Sequence, residues 1–228
     1  MKTKFLAGAA AAAVGALLAT GASAAVVSLN FDNLLNGELV NNYYAGGTGS
    51  LGSVGPNYGI TFTNALVLDE NINNEALLIT PPNSITFLGG GGAIMDVAAG
   101  FNTGFSFNYS SPFFAGVVTV WDGLDGTGNL LASLTLPFTP NGAGNPACGG
   151  KNYCPDLPSG VTFAGTARSV NFSGTANYIV YDDITLGAST PGPSGVPEPE
   201  TWAVLLMGMA VVGAGLRSSR RRRVEVAA

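Results

Sequence analysis

Fourteen carboxylates and no histidine define the chemistry open to this 228-residue chain. Without imidazole there is no Ser-His-Asp or Cys-His nucleophile pair and no His-ligated zinc. Among the acids, Asp182 and Asp183 stand together in Val180-Tyr181-Asp182-Asp183-Ile184, and Asp32 closes Leu29-Asn30-Phe31-Asp32. Period-two alternation places Asp182 on the side of Val180 and Ile184, facing a core. A carboxylate buried there needs donors or a cation. If residues 27–31 pair antiparallel with residues 182–186, Asp32 arrives beside Asp182. The two, completed by backbone carbonyls, then form a site for a structural calcium ion. The competing reading is ordinary hydrogen bonding of Asp to turn amides.

The other candidates are weaker. Asp122, Asp125 and Asn129 are spaced like the start of an EF-hand loop, but the Glu at its twelfth position is missing. With Gly123, Gly126 and Gly128 between them they suit a strand-connecting turn. The run Gly89 to Gly92 has no Lys-Ser/Thr after it, which argues against a phosphate loop. Cys148 and Cys154 are the only cysteines. In an oxidising compartment an even count reads as a disulfide. Closing a loop of about seven residues is worth roughly 2–2.5 kcal/mol in the chain-entropy model. Tyr43, Tyr44, Tyr58, Tyr153 and Trp121 offer rings on which a sugar can stack, although most aromatics in a β domain fill its core. No pattern selects the carboxylate pair a glycosidase needs, so the expectation is a non-catalytic protein that requires no cofactor.

These residues are carried by short alternating runs. Val27, Leu29 and Phe31 alternate with polar residues, as do Phe105, Phe107 and Tyr109, and Val170 and Phe172. Leu130, Ala132, Leu134 and Leu136 form one face of another run, and Val180, Ile184 and Leu186 one face of the last. Residues 60–63, 84–88 and 117–121 are further strands. Ten or so short strands between turn signals, with no sustained helical period, predict an all-β domain over residues 25–187. The expected architecture is an antiparallel β-sandwich, with a jelly roll as the first choice. The 10% charged residues, against about 25% in an average domain, fit that picture.

Charge is distributed unevenly. Between Ala25 and Gly195 there are two basic residues, Lys151 and Arg168, against eleven acidic ones, a formal charge of −9. That excludes nucleic acid as a partner, because phosphate contacts need Lys and Arg. The other seven basic residues lie at the ends. Residues 1–24 read as a signal peptide: Lys2 and Lys4, an apolar stretch from Phe5 to Leu18, then Ala22 and Ala24 before a cleavage at Ala25. That implies passage through the Sec translocon and removal by signal peptidase.

After a Pro/Gly/Ser linker at 188–195, the other end reads Val196-Pro197-Glu198-Pro199-Glu200-Thr201-Trp202. An uncharged stretch to Leu216 follows, then Arg217 and Arg220, Arg221, Arg222 and Arg223. As a helix, residues 201–216 measure about 24 Å at 1.5 Å per residue, short of the roughly 30 Å of a bilayer's hydrocarbon. Trp202 at one interface and arginines at the other complete a short transmembrane helix with the acidic domain outside the cytoplasm.

This tail resembles the PEP-CTERM sorting signal of Gram-negative bacteria, a segment also described as an ice-binding protein C-terminal domain. That second label concerns the tail and not the domain before it. The resemblance implies a substrate of exosortase, cut near Pro197-Glu198-Pro199. Before processing it sits in the inner membrane, and afterwards at the cell surface or in the exopolysaccharide matrix of a biofilm.

Phrases in the domain resemble carbohydrate-binding-module-like sandwiches. They are Asn30-Phe31-Asp32, the run from Gly55 to Phe62, Phe105-Ser106-Phe107-Asn108-Tyr109, Trp121-Asp122-Gly123 and Tyr181-Asp182-Asp183-Ile184. Two functions stay open: a structural or adhesive surface protein, or a specific carbohydrate-binding module acting on exopolysaccharide. A polysaccharide hydrolase is the remote third.

Overall fold

Short β-branched and aromatic runs, punctuated by glycine turns, leave each strand with one face to bury. Two sheets laid face to face satisfy that need. The computed structural model of the chain describes residues 26–73, 78, 80–142, 144–151, 154, 156–192 and 209. The expected signal peptide (1–24), its cleavage residues Ala22, Ala24 and Ala25, and the motif Val196 to Pro199 lie outside the described residues. So do Trp202, Arg217 and Arg220 to Arg223, and all of the 201–216 segment except Met209. Among the described residues no helix is long and apolar enough to cross a membrane.

The elements in chain order are β1 (Val27–Leu29), β2 (Ile60–Thr63), β3 (Leu66–Asp69), α1 (Glu70–Asn73), β4 (Asn83–Thr86), β5 (Ala93–Phe101) and β6 (Gly104–Ser110). They continue with β7 (Gly116–Trp121), β8 (Leu130–Leu136), β9 (Leu157–Thr162), β10 (Ala167–Ser173) and β11 (Val180–Leu186). One sheet runs β3-β4-β11-β6-β9, with β1 also on β11; the other runs β2-β5-β10-β7-β8. The named strand pairs are antiparallel. The domain is thus an all-β antiparallel two-sheet sandwich with almost no helix.

Its core lies between the sheets. Phe105, Phe107 and Tyr109 of β6 and Tyr181, Ile184 and Leu186 of β11 face Val118 and Val120 of β7, Val170 and Phe172 of β10, and Met95 of β5. Phe107 is central, its ring centroid 5.5 Å from Phe105, 6.0 Å from Phe172 and 5.7 Å from Tyr181. At roughly 1.5–3 kcal/mol per buried large apolar side chain, these stripes hold the sheets together.

Three features depart from simple alternation. In β8 a register shift opposite Val120 and Trp121 turns Leu130 outward, half exposed, while Leu131 packs against the core. In β11 Val180 lies outside the main core, in a second small cluster. It packs with Leu78 and Leu68 on the far side of the sheet, whereas Tyr181, Ile184 and Leu186 face inward. Lastly, β6 and β11 are buried along their whole lengths. Described residues from the stretches before β4 and before β9 cover their outer face: Leu78 packs on Val180, and Thr139 bonds Ser110 and Ser111.

The chain after β11 also stays with the domain as far as it is described. Ser106 Oγ donates to the Ala188 carbonyl, Ser28 Oγ to the Gly192 carbonyl, and Gly192 N to Thr185 Oγ1. Gly160 of the edge strand β9 leaves space there, because a Cβ at this position would collide with the Ser189 carbonyl. The first part of the expected linker is therefore a docked strap.

Candidate functional site

One edge of β11 is shared by two short strands. β1 pairs with its distal end in the expected register, Val27 with Leu186, Ser28 with Thr185 and Leu29 with Ile184. β4 meets it at Tyr181 alone, opposite Ile85. Residues 182 and 183 fall between the two. On the other edge the register against β6 slips between Asp182 and Thr185. Asp183 takes up the extra residue with φ at 49°, a left-handed conformation that Asp tolerates better than most residues.

The bulge has a chemical consequence. Strict alternation would send Asp182 and Asp183 to opposite faces. Here Asp182 shares the outer side with Val180, not the core side with Ile184. Asp183 also reaches Asn108, whose neighbours Phe107 and Tyr109 face the core. Both carboxylates are buried, with Asp182 fully inaccessible.

Their partners are few. Thr80 Oγ1 donates to Asp182 Oδ2 at 2.8 Å, and Asn108 Nδ2 to Asp183 Oδ2 at 2.8 Å. The second oxygen of each, Asp182 Oδ1 and Asp183 Oδ1, is buried with no hydrogen-bond partner. Asp156, just before β9, is buried as well, and neither of its oxygens is bonded. Asn83, at the start of β4, spends its amide on the Phe31 and Leu34 carbonyls and leaves a buried Oδ1 unbonded. Asp32 stands at the rim. It accepts from Asn30 Nδ2 at 2.8 Å and from Asn83 N at 3.4 Å, and the Asp183 charge acts on it.

The described residues hold two cations, and their recorded bonds go elsewhere: Lys151 Nζ to the Glu70 carbonyl and Arg168 Nη1 to the Ala98 carbonyl. Burial, then the neighbouring Asp183, pushes the Asp182 carboxyl up to about 9. The same two causes, with Glu70 added, hold Asp156 well above the usual carboxylate range. Burial first, offset in part by the Asn83 amide, brings Asp32 to about 6. Buried carboxylates of this kind either keep a proton or gain a cation.

The donor set suits a hard cation: unbonded carboxylate oxygens of Asp156, Asp182 and Asp183 and an amide oxygen of Asn83, with no sulfur or imidazole. Among the described residues no three acidic or thiol side chains already stand at coordination distance of one point. An ion would therefore draw on amide and backbone oxygens as well as on small rotations of the acids. Sequence reasoning paired Asp32 with Asp182. It passed over Asp156, a loop residue two positions after Cys154 with no periodicity to mark it. Its only signal was proximity to the disulfide. Cys148 and Cys154 form that bridge, within the loop whose Cys154 carbonyl accepts from Ser110 Oγ.

Most of the remaining candidates lie in turns or in the core. Asp122 accepts from Asn129 N at 2.7 Å and Asn129 Nδ2 at 2.8 Å, bonds that lower its pKa. Asp125 lies in the same turn, its amide on Asp96 and its φ at 55°. The Gly89–Gly92 turn is clasped by Asn64 Nδ2, which reaches the Gly89 and Gly92 carbonyls. Tyr43 and Tyr44 are buried, and Trp121 is half-buried with Nε1 on Thr119 Oγ1. Tyr58 is exposed, and Tyr153 lies outside the described residues.

Comparison with known proteins adds the following. Residues 195–222 match the family model of the PEP-CTERM protein-sorting motif. No curated protein matches the chain. Among solved structures the chain is similar to the K2 cleaved adhesin domain of Lys-gingipain, with TM-score 0.41 and 12% identity over 71% of this chain and 97% of that one. It is also similar to the carbohydrate-binding module CBM6cm-2 of Cellvibrio mixtus lichenase 5A, with TM-score 0.36 and 10% identity over 55% and 88%. A third is the C-terminal CBM6 of the marine laminarinase LamC from Zobellia galactanivorans, with TM-score 0.34 and 11% identity over 55% and 89%.

Proposed function

We propose that the chain is an exported surface or matrix protein with a structural or adhesive, non-catalytic β-sandwich of jelly-roll type. Residues 1–24 direct it through the Sec translocon and are removed by signal peptidase. The helix at 201–216 and its arginines hold it in the inner membrane, and exosortase releases it near Pro197-Glu198-Pro199. The sorting-motif match over 195–222 is the observation that carries this reading. In a strain lacking exosortase, the protein is expected to keep its tail and its membrane attachment. In the parent it is smaller and lies outside the cell. Equal mass and equal location in the two strains, read by immunoblot of fractions, would defeat the sorting step.

A structural role for the buried acids supports the non-catalytic half of the reading. Asp156, Asp182 and Asp183 are at most 3% exposed, so a polysaccharide chain cannot reach them. We assign them, with Asn83 and with Asp32 at the rim, to holding a structural calcium ion. Bound there, the ion supplies the positive charge that lets the carboxylates ionise and ties Asn83 and Asp156 to β11. The alternative function, a specific carbohydrate-binding module, fits the same exported sandwich about as well. A glycan array run with and without calcium separates it from a purely structural role.

A further inference from the structure

The segment between β1 and β2 folds back over itself and leaves a cavity of about 200 Å³ lined by Ser28, Asn30, Asn33, Tyr43, Tyr44, Pro56 and Tyr58. We propose that this cavity binds one neutral sugar ring of a polysaccharide, stacked on Tyr58. The proposal deepens the carbohydrate-binding alternative and rests on it.

Tyr58 is 48% exposed, so it does not serve the core. It is nevertheless held fast. Its amide donates to the Tyr44 carbonyl at 2.7 Å, and its ring lies nearly parallel to that of Tyr44, 14° between planes and 6.1 Å between centroids. Tyr44 is itself fixed. Its ring meets Tyr43 edge-on at 4.9 Å, and its hydroxyl accepts from Phe31 N at 3.0 Å. Behind the platform, Gly55 passes so close to Tyr43 that a Cβ would collide with the Tyr43 carbonyl. A bridge between Ala45 and Asn57 and the bond from Gly46 N to the Pro56 carbonyl lock the loop. An exposed aromatic face that is already oriented loses little freedom on binding.

The rest of the lining supplies hydrogen bonds without charge. Asn33 brings an amide, beside Asn30, whose Nδ2 is held by Asp32 Oδ2, and Ser28, whose Oγ is held by the Gly192 carbonyl; no Asp, Glu, Lys or Arg lines the cavity. In a domain of formal charge −9 that neutrality is selective. A pyranose presents an apolar C–H face to a ring and hydroxyls to amides. The volume, below the roughly 300–1,000 Å³ of pockets for drug-sized ligands, holds one ring rather than a chain, so neighbouring sugars project into solvent.

The test is affinity electrophoresis of the full chain, solubilised in detergent, through gels containing neutral polysaccharides (β-glucan, mannan, galactan) or acidic ones (alginate, hyaluronan). A neutral polysaccharide is expected to retard the wild type. Tyr58→Ala should weaken that retardation at least about tenfold, and Asn33→Ala should weaken it less. Phe114→Ala, at an exposed ring elsewhere, should leave it unchanged, with all four proteins melting alike. Retardation that survives Tyr58→Ala overturns the cavity while leaving carbohydrate binding standing. Retardation by acidic polysaccharides alone overturns the neutral ligand. No retardation in any gel overturns both the cavity and the carbohydrate-binding alternative, and leaves sorting to the immunoblot.

Discussion

Stripping calcium from the full chain with a chelator at pH 7.5 is expected to lower its melting temperature by roughly 5–10 °C, and returning Ca²⁺ should restore it. An ion present at 100 times its dissociation constant stabilises the state that binds it by about 2.7 kcal/mol. In a domain of 150–250 residues each kcal/mol moves the midpoint by about 2–4 °C. The pH dependence gives the sign. In chelated protein the Asp182 carboxyl is protonated up to about 9 when folded, against an ordinary value of 3.8. Its contribution to stability is complete below 3.8 and is lost as the pH rises toward 9. Asp32 does the same between 3.8 and about 6, and Asp156 acts in the same direction. Chelated protein should therefore melt higher at pH 5 than at pH 8, and saturating Ca²⁺ should flatten or reverse that trend. Asp182→Asn, which imitates the protonated acid, should melt at or above the wild type in chelator and respond little to calcium. Identical melting curves with and without calcium across this pH range would remove the ion from the account.

How far the sequence led depends on how regular each strand is. The pairing of the first and last strands, which the sequence offered as a condition of the jelly roll, holds in its stated register over Val27–Leu29 and Ile184–Leu186, where alternation is clean. The same rule misplaced Asp182, because it cannot register a bulge. Asp183 inserts one residue, so Tyr181 and Ile184 both face the core and the acids both turn outward. The strands β3, β5 and β9 went unread, the last two for compositional reasons. β5 contains Ala98, Ala99 and Gly100, and β9 contains Pro158 and Gly160, which suit only an edge strand. The buried outer face of β6 and β11 was hidden for another reason. Ser106, Asn108 and Ser110 look like a solvated face until loops distant in sequence arrive to cover them. Asp156 belongs to one of those loops. The tail was legible because its signal is a contiguous string rather than a tertiary arrangement.

The second large effect is expected at Glu38, a fully buried carboxylate that organises the segment between β1 and β2. Oε2 accepts from Leu35 N at 2.9 Å and Ser53 Oγ at 2.6 Å, and Oε1 from Leu51 N at 3.0 Å and Ser53 N at 3.1 Å. Gly49 has no Cβ, and one there would strike the carboxylate, so the loop closes tightly around it. Glu38→Ala leaves three amides and a hydroxyl without their acceptor. At about 1–3 kcal/mol for each buried unsatisfied group, with water entering to recover part, the net loss is roughly 3–5 kcal/mol, or about 10 °C. Retardation by neutral polysaccharide should fall with it, since the same segment carries Tyr58. The pH dependence runs opposite to that of Asp182. Burial alone would raise the Glu38 pKa, but the four hydrogen bonds outweigh it and hold the group below 4.5. Its contribution is present above 4.5 and is lost as the pH falls through the lowered folded value. Thermal melts between pH 2 and 5 should therefore steepen for the wild type relative to Glu38→Gln, which keeps acceptors on one oxygen but cannot ionise. If Glu38→Ala melts with the wild type at pH 7.5, the segment is held by its backbone bonds alone, and the carboxylate is not its organiser.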